Sequence, residues 1–266
     1  MKAWISSFMP SRNHDLMPEW LVLSYIVGVL SIAMFVRSAF GFGHGAFATP
    51  LLVLLLDIRL ATPLLAAVSF IVGLEILARD WRHIHFAGTA QLTIGGLIGT
   101  PIGVALLAHV DQRWLLISLG LFLTVFSVRG LARFALPELS NDRYAVPAGL
   151  FAGIAGGAIN VSGVPAALYC VMRRWPPQQF RSSLTGFFLV TGLASLVGYG
   201  ASGLYTPAFW HLFAWAIVPA FCANWLGKHL NARLSREAFE IAIWSLILMT
   251  ALIVLGRQVE IALVGH

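Results

Sequence analysis

Residues 182–227 form a run of 46 residues without a single Lys, Arg, Asp or Glu. A membrane-spanning helix takes about 20 mostly apolar residues, so this stretch holds two crossings, divided at the turn-forming Gly200-Ala201-Ser202-Gly203. Further uncharged runs cover 21–36, 38–56, 60–74, 86–110, 114–128, 144–172 and 241–256. None shows the strict apolar/polar alternation of a transmembrane β-strand. The expected fold class is therefore all-α, a polytopic integral membrane protein with about eight hydrophobic segments. With 11% charged residues, against roughly 25% in soluble domains, the composition excludes an ordinary soluble enzyme.

The charges that remain sit between the apolar runs. The net charge of +6 is divided among many short loops with no basic stripe and no interleaved aromatics, so nucleic acid is not an expected partner; the lipid bilayer is. Cys170 and Cys222 both fall inside apolar runs and read as small packing residues. His83 and His85 belong to a basic turn, and no third ligand has supporting spacing, so neither a metal nor a cofactor is expected. Residues 1–19, with Lys2, Arg12, Asp15 and Glu19, lack the pattern of a cleaved signal peptide. Trp81, Trp114, Trp175, Trp210 and Tyr205 stand near segment ends, where amphipathic rings settle at the interface.

A weak internal duplication organises the chain. Gly41 and Pro50 recur as Gly156 and Pro165, and Gly103, Leu106 and Ala108 recur as Gly227, Leu230 and Ala232. The expected divisions are an N-terminal polar segment over 1–19, repeats over 20–134 and 143–257, a linker over 135–142 and a tail over 258–266. Each repeat opens with a glycine-broken segment. In the second, the arms 145–157 and 161–172 would be about 18–20 Å long as helix, too short for the ~30 Å hydrocarbon core. If the broken segments return to their own side, 11 Lys and Arg face the cytoplasm and 5 the outside, with Arg37 in the membrane. That distribution obeys the positive-inside bias. The expectation is six spanning helices plus two re-entrant hairpins in an inverted repeat, with both termini in the periplasm of a bacterial inner membrane.

The breaks hold the candidate chemistry. The first contains Gly41-Phe42-Gly43-His44-Gly45, and the second Gly156-Gly157-Ala158-Ile159-Asn160-Val161-Ser162-Gly163. Irregular backbone at membrane depth is tolerated where it is buried in protein or lines a wet cavity. A helix beginning just after a break offers free amide groups to an anion. Gly43, His44, Gly45, Asn160, Ser162 and Gly163 are therefore candidate binding residues, although glycines also serve close helix packing. Arg37 lies just before the first break among Phe35, Val36, Ala39 and Phe40. It is either an oxyanion ligand or an arginine resting at the headgroups. His44 could carry a coupling proton or be satisfied by loop carbonyls. Glu75 either pairs with Arg79 four residues on or is a proton-carrying carboxylate facing a cavity. Ser69 and Thr185 are hydroxyl candidates that could equally bond their own helices.

These residues resemble the TauE/SafE family of membrane permeases. The resemblance rests on the Gly-x-Gly-x-Gly run, Pro50-Leu51-Leu52, Ala61-Thr62-Pro63 and Ser69. The second half echoes it in Gly156-Gly157, Pro165 and Ser182-Ser183-Leu184-Thr185-Gly186. His44 and Asn160 stand where the family tends to carry glycine. The resemblance implies export of small sulfur-containing anions such as sulfite or organosulfonates.

No catalytic motif and no nucleotide-binding loop occurs, so transport would be secondary, by alternating access at a midplane anion site. Another small anion, such as a carboxylate, is the alternative within that class. An intramembrane enzyme using His44, Glu75 or the His83/His85 pair, and an accessory subunit, are the alternatives outside it. The sequence leaves the oligomeric state open.

Overall fold

The computed structural model describes residues 18–132, 137–230 and 236–264. Residues 1–17 of the polar segment expected over 1–19, and the loop charges Arg133 and Arg233, lie outside them. Every regular element is helical among the described residues. The helices are α1 (Glu19–Phe40), α2 (His44–Leu52), α3 (Ile58–Asp80), α4 (Phe86–His109), α5 (Gln112–Ala132), α6 (Ala145–Ile159), α7 (Gly163–Met172), α8 (Pro177–Ala201), α9 (Pro207–Leu230) and α10 (Arg236–Val264). Among the described residues the eight apolar runs become ten helices, because 144–172 divides into α6 and α7, and 182–227 into α8 and α9. The chain is an all-α polytopic membrane protein.

Helix ends fall where backbone chemistry places them. The Asp57 carboxylate accepts the Arg59 N–H at 2.7 Å and starts α3. The His85 ring accepts from Gly88 N–H at the start of α4. Pro177 and Pro207 open α8 and α9, at a position where a missing N–H costs nothing. Gly203, with φ +70°, lies in the turn between those two helices, as the sequence required.

Six helices among the described residues are long and apolar enough to cross a bilayer: α1, α3, α4, α5, α8 and α9. Their apolar stretches of 20–24 residues correspond to about 30–36 Å at 1.5 Å per residue. The arms around the second break have 15 and 10 residues, against the 13 and 12 expected. The arms around the first have 22 and 9, so α1 is longer than the matching arm α6.

Packing follows an exchange pattern. α4 packs on α6 as α9 packs on α1; α4 meets α8 as α9 meets α3; α5 pairs with α10 and α3 with α8. The α4–α6 contact is built on glycine. A Cβ on Gly95, Gly99 or Gly103 would lie 2.0–2.3 Å from the carbonyls of Val146, Leu150 and Ile154. A Cβ on Gly149, Gly153 or Gly157 would lie 1.9–2.5 Å from those of Leu92, Gly96 and Thr100. Spacing of four puts each trio on one helix face, and the two backbones touch. Lipid tails are as apolar as the side chains they would replace, so this close contact, not hydrophobic burial, holds the pair.

Candidate functional site

Each break is made by residues that accept a left-handed backbone. Gly41 (φ +81°) ends α1, its N–H bonded to the Arg37 carbonyl at 2.7 Å, and Gly43 (φ +87°) precedes α2. Asn160 (φ +55°) ends α6. Its N–H goes to Gly156 O, and Val161 N–H reaches back to Ala155 O, a closure of the kind glycine usually provides at a helix C-terminus. Asparagine is among the few other residues that enter this region readily, so the turn does not require glycine here.

The breaks meet. A Cβ on Gly45 would sit 1.8 Å from the Asn160 carbonyl, and one on Gly163 would touch Gly43 N at 3.5 Å. The Thr49 hydroxyl donates to Ile159 O at 3.1 Å, tying α2 to the end of α6. On α8, fully buried Tyr199 donates to Gly157 O at 2.8 Å and satisfies a carbonyl that the break leaves without its helical partner.

A cavity of ≈ 450 Å³, open mouth included, lies beside this junction. Arg37, His44, Ser69, Asn160 and Ser162, all expected from the sequence, line it. His44 is the first residue of α2 and Ser162 directly precedes α7, so both short helices begin at the cavity. Arg37 is 2% exposed and does not reach an interface. Its Nη1 donates to the Ser69 carbonyl at 2.6 Å, and the guanidinium carbon lies 5.9 Å from the Phe188 ring centre. Room for it comes from Gly73, one turn beyond Ser69, where a Cβ would stand 2.5 Å from Nη2. Its Nε and Nη2 have no hydrogen-bond partner among the described residues, and neither do His44 Nδ1, Ser69 Oγ, Thr100 Oγ1 and Asn160 Nδ2. No carboxylate lines the cavity among those residues. A buried guanidinium with no counter-ion costs several kcal/mol. The arrangement fits an anion.

The family model for the sulfite exporter TauE/SafE matches residues 25–254, most of the chain. The protein belongs to the TauE/SafE family. No curated protein and no solved structure matches it. Membership and the apolar helices make it a multi-pass membrane transporter of a sulfur-anion family, and that family is one of transporters, not of enzymes.

In this TauE/SafE chain, other expected residues do not line the cavity. Gly43, Gly45 and Gly163 shape the junction. The Thr185 hydroxyl is used within α8, donating to Arg181 O at 2.8 Å. Glu75 does not line the cavity; it accepts from Asn224 Nδ2 of α9 at 2.6 Å. The side chain of Arg79, its expected partner, lies outside the described residues. His85 caps α4, and its ring packs 4.9 Å from that of Trp175. Trp81, Trp114 and Trp210 are exposed near helix ends, whereas Trp175 is half-buried.

The sequence reading missed Thr100 on α4, Phe70 on α3, and Phe188, Thr191 and Ser195 on α8, all lining residues. A lone hydroxyl or phenyl ring in an apolar run carries no local mark. Thr100 alone had a signal, since it stands four residues after Gly96 and three before Gly103, inside the glycine ladder.

Proposed function

We propose that the protein is a secondary permease that exports a small sulfur oxyanion, sulfite or an organosulfonate, from a bacterial cytoplasm. The observation that carries this reading is the buried Arg37, with two donors that have no partner among the described residues, beside a cavity that no carboxylate of those residues lines. Arg37 anchors the anion, and Ser69, Asn160 and Ser162 add neutral hydrogen bonds. Gly43, Gly45 and Gly163 keep the two helix starts close enough to share one ligand. Thr185 and Glu75 remain outside the ligand's reach in this reading.

The exchange pattern of helix contacts supports two related halves, 20–134 and 143–257; in this reading they are inverted, and the short arms α6 and α7 return to one side as a re-entrant hairpin. The binding junction then lies between the halves, where a rocking motion would open it alternately to either side. Export of an anion from a negative interior is favoured by about 2.3 kcal/mol per charge per 100 mV, so no nucleotide is required. His44 is the titratable ring at the cavity and the residue through which a proton would couple.

Purified protein in liposomes tests this reading through sulfite-driven currents. Arg37→Gln is expected to abolish them, and His44→Gln to remove their dependence on an imposed proton gradient while leaving sulfite binding measurable. Currents with acetate but none with sulfite or sulfoacetate would overturn the sulfur assignment. Cysteines at Phe42 and Ser162 should both be protected from modification by sulfite; protection of neither would overturn the shared site.

A further inference from the structure

Resting on the permease reading above, we infer that the bodies which rock are not the two sequence halves but two composite helix groups, α1–α3–α9 and α4–α6–α8, and that Arg181 is a positioning residue latching one group to the other. Each group draws helices from both halves, and the exchange that maps α1, α3 and α9 onto α6, α8 and α4 relates them.

Depth of packing is the first ground. Inside a group, backbones interlock: a Cβ on any of the six glycines of α4 and α6 would lie 1.9–2.5 Å from a carbonyl oxygen of the other helix, and one on Gly227 of α9 would lie 2.8 Å from Phe35 O of α1. Hydrogen bonds reinforce this. Arg37 ties α1 to α3 through Ser69 O at 2.6 Å, Asn224 ties α9 to α3 through Glu75 at 2.6 Å, and Tyr199 ties α8 to α6 through Gly157 O at 2.8 Å. Between the groups, α3 meets α8 through side-chain ends: a Cβ on Gly192 would stand 3.6 Å from Phe70 Cδ2, and one on Gly73 3.3 Å from Leu189 Cδ2. Such contacts can be remade as helices slide, whereas backbones already touching cannot part without opening a void.

The cavity gives the second ground, because it lies on this seam. Arg37 and Ser69 line it from one group, and Thr100, Gly153, Phe188 and Ser195 from the other. A relative tilt of the groups would widen it at one end and narrow it at the other while leaving the contacts inside each group intact.

Arg181 crosses the seam near the start of α8. Its Nη2 donates to Ser38 O of α1 at 2.9 Å, its Cγ would meet a Cβ on Gly41 at 3.0 Å, and the rings of Phe180 and Phe42 pack beside it with centres 5.7 Å apart. Ser38 O is among the last four carbonyls of α1, which lose their helical partners at the break. Gly157 O is its counterpart, three residues before left-handed Asn160 as Ser38 is before Gly41, and Tyr199 of the same α8 serves it. Arg181 and Tyr199 are 18 residues apart, five turns of 3.6, so one face of α8 holds both breaks. The tyrosine bond stays inside a group, and the arginine bond spans two.

Bridging cysteine pairs with dibromobimane tests the inference in full-length protein reconstituted in liposomes, with Cys170 and Cys222 replaced by alanine. The thioether links resist sulfite. A Cβ on Gly198 would lie 3.4 Å from Val104 Cβ, inside one group but across the sequence halves; a Cβ on Gly163 would lie 3.6 Å from Phe42 Cβ, between the breaks that follow α6 and α1. Both separations suit a short link. Bridging Val104→Cys/Gly198→Cys is expected to keep the sulfite current within about twofold, and bridging Phe42→Cys/Gly163→Cys to lower it at least about tenfold. Loss of current at the first pair, survival at the second, or an equal loss at the second with monobromobimane, which adds bulk without a link, would overturn the inference. Arg181→Gln is expected to leave half-saturating sulfite unchanged while an impermeant thiol reagent labels Phe42→Cys about tenfold faster, the worth of one charge-assisted hydrogen bond. Arg181→Lys should restore the slow rate. Equal labelling with Arg, Gln or Lys at this position would overturn the latch. Either experiment decides alone where a variant of the other does not purify. No sulfite current from unbridged wild-type protein would overturn the permease reading and the inference together.

Discussion

The two helix breaks do the same geometric work with different chemistry. The first is turned by two glycines and carries both ionisable residues of the cavity, Arg37 before it and His44 after it. The second is turned by Asn160 and offers only neutral donors, from Asn160 and Ser162. Their supports differ as well. α6 is clamped to α4 by six interlocking glycines, while in the corresponding α9–α1 pair Gly28 faces open space and Gly227 approaches the Phe35 carbonyl. The residues at the two breaks differ because the shared requirement is a turn and a close approach, and several residue types satisfy it. Placing both charges on one side of the junction leaves the other side free to be built for rigidity.

The sharpest way to break this comparison is at the contact point. Gly45→Ala would drive a methyl group into the Asn160 carbonyl, so little folded protein is expected, as overpacking of this severity costs about 1–3 kcal/mol or more. Gly163→Ala, whose methyl would meet only ordinary contacts, is expected to purify normally. Size-exclusion profiles of the two variants check this, and equal yields would mean that the breaks do not depend on touching.

Next in size is Arg37→Gln. With the charge gone, sulfite affinity should fall about 100-fold, since hydrogen bonds to charged groups are roughly twice as strong as neutral ones. Ligand-free thermal stability should hold or rise, because an uncompensated buried charge has been removed. A drop in melting temperature without loss of sulfite binding would make Arg37 structural.

A smaller effect is expected from Asn160→Gly, which keeps the left-handed turn but deletes the amide. Affinity should fall several-fold with stability unchanged. Asn160→Ala should lose the same affinity and also about 1–2 kcal/mol of stability from the left-handed backbone. Parallel melting and binding curves separate the two roles. Thr185→Ala should be the quietest change, within about 0.5 kcal/mol in stability and without effect on transport, since its hydroxyl serves its own helix. Ser69→Ala, at the other candidate hydroxyl, which lines the cavity, should weaken binding measurably. Equal responses would mean that the halves contribute symmetrically.

Much of the site could be read from the chain. Arg37, His44, Asn160 and Ser162 announce themselves because polar groups next to glycine-rich breaks in an apolar run are expensive unless they have a use. Thr185 and Glu75 showed the limit of that reasoning. Both are polar residues in apolar surroundings, yet one is satisfied four residues back on its own helix and the other by an asparagine 149 residues away. The Glu75 partner is invisible to any local window. Phe188 and Ser195 were missed for the converse reason, since their neighbours in sequence give them nothing unusual.

The sequence by itself determined that this protein is a bundle of membrane helices interrupted in two places. Bilayer thickness, backbone hydrogen bonding and glycine conformation act locally and can be counted along a chain. Only the tertiary structure decided that the two interruptions touch, that Arg37 turns inward against Ser69 and Phe188 and does not reach an interface, and that Thr100 joins it at the cavity. Those outcomes depend on how closely one backbone can approach another across the bundle, a distance fixed jointly by residues more than a hundred positions apart.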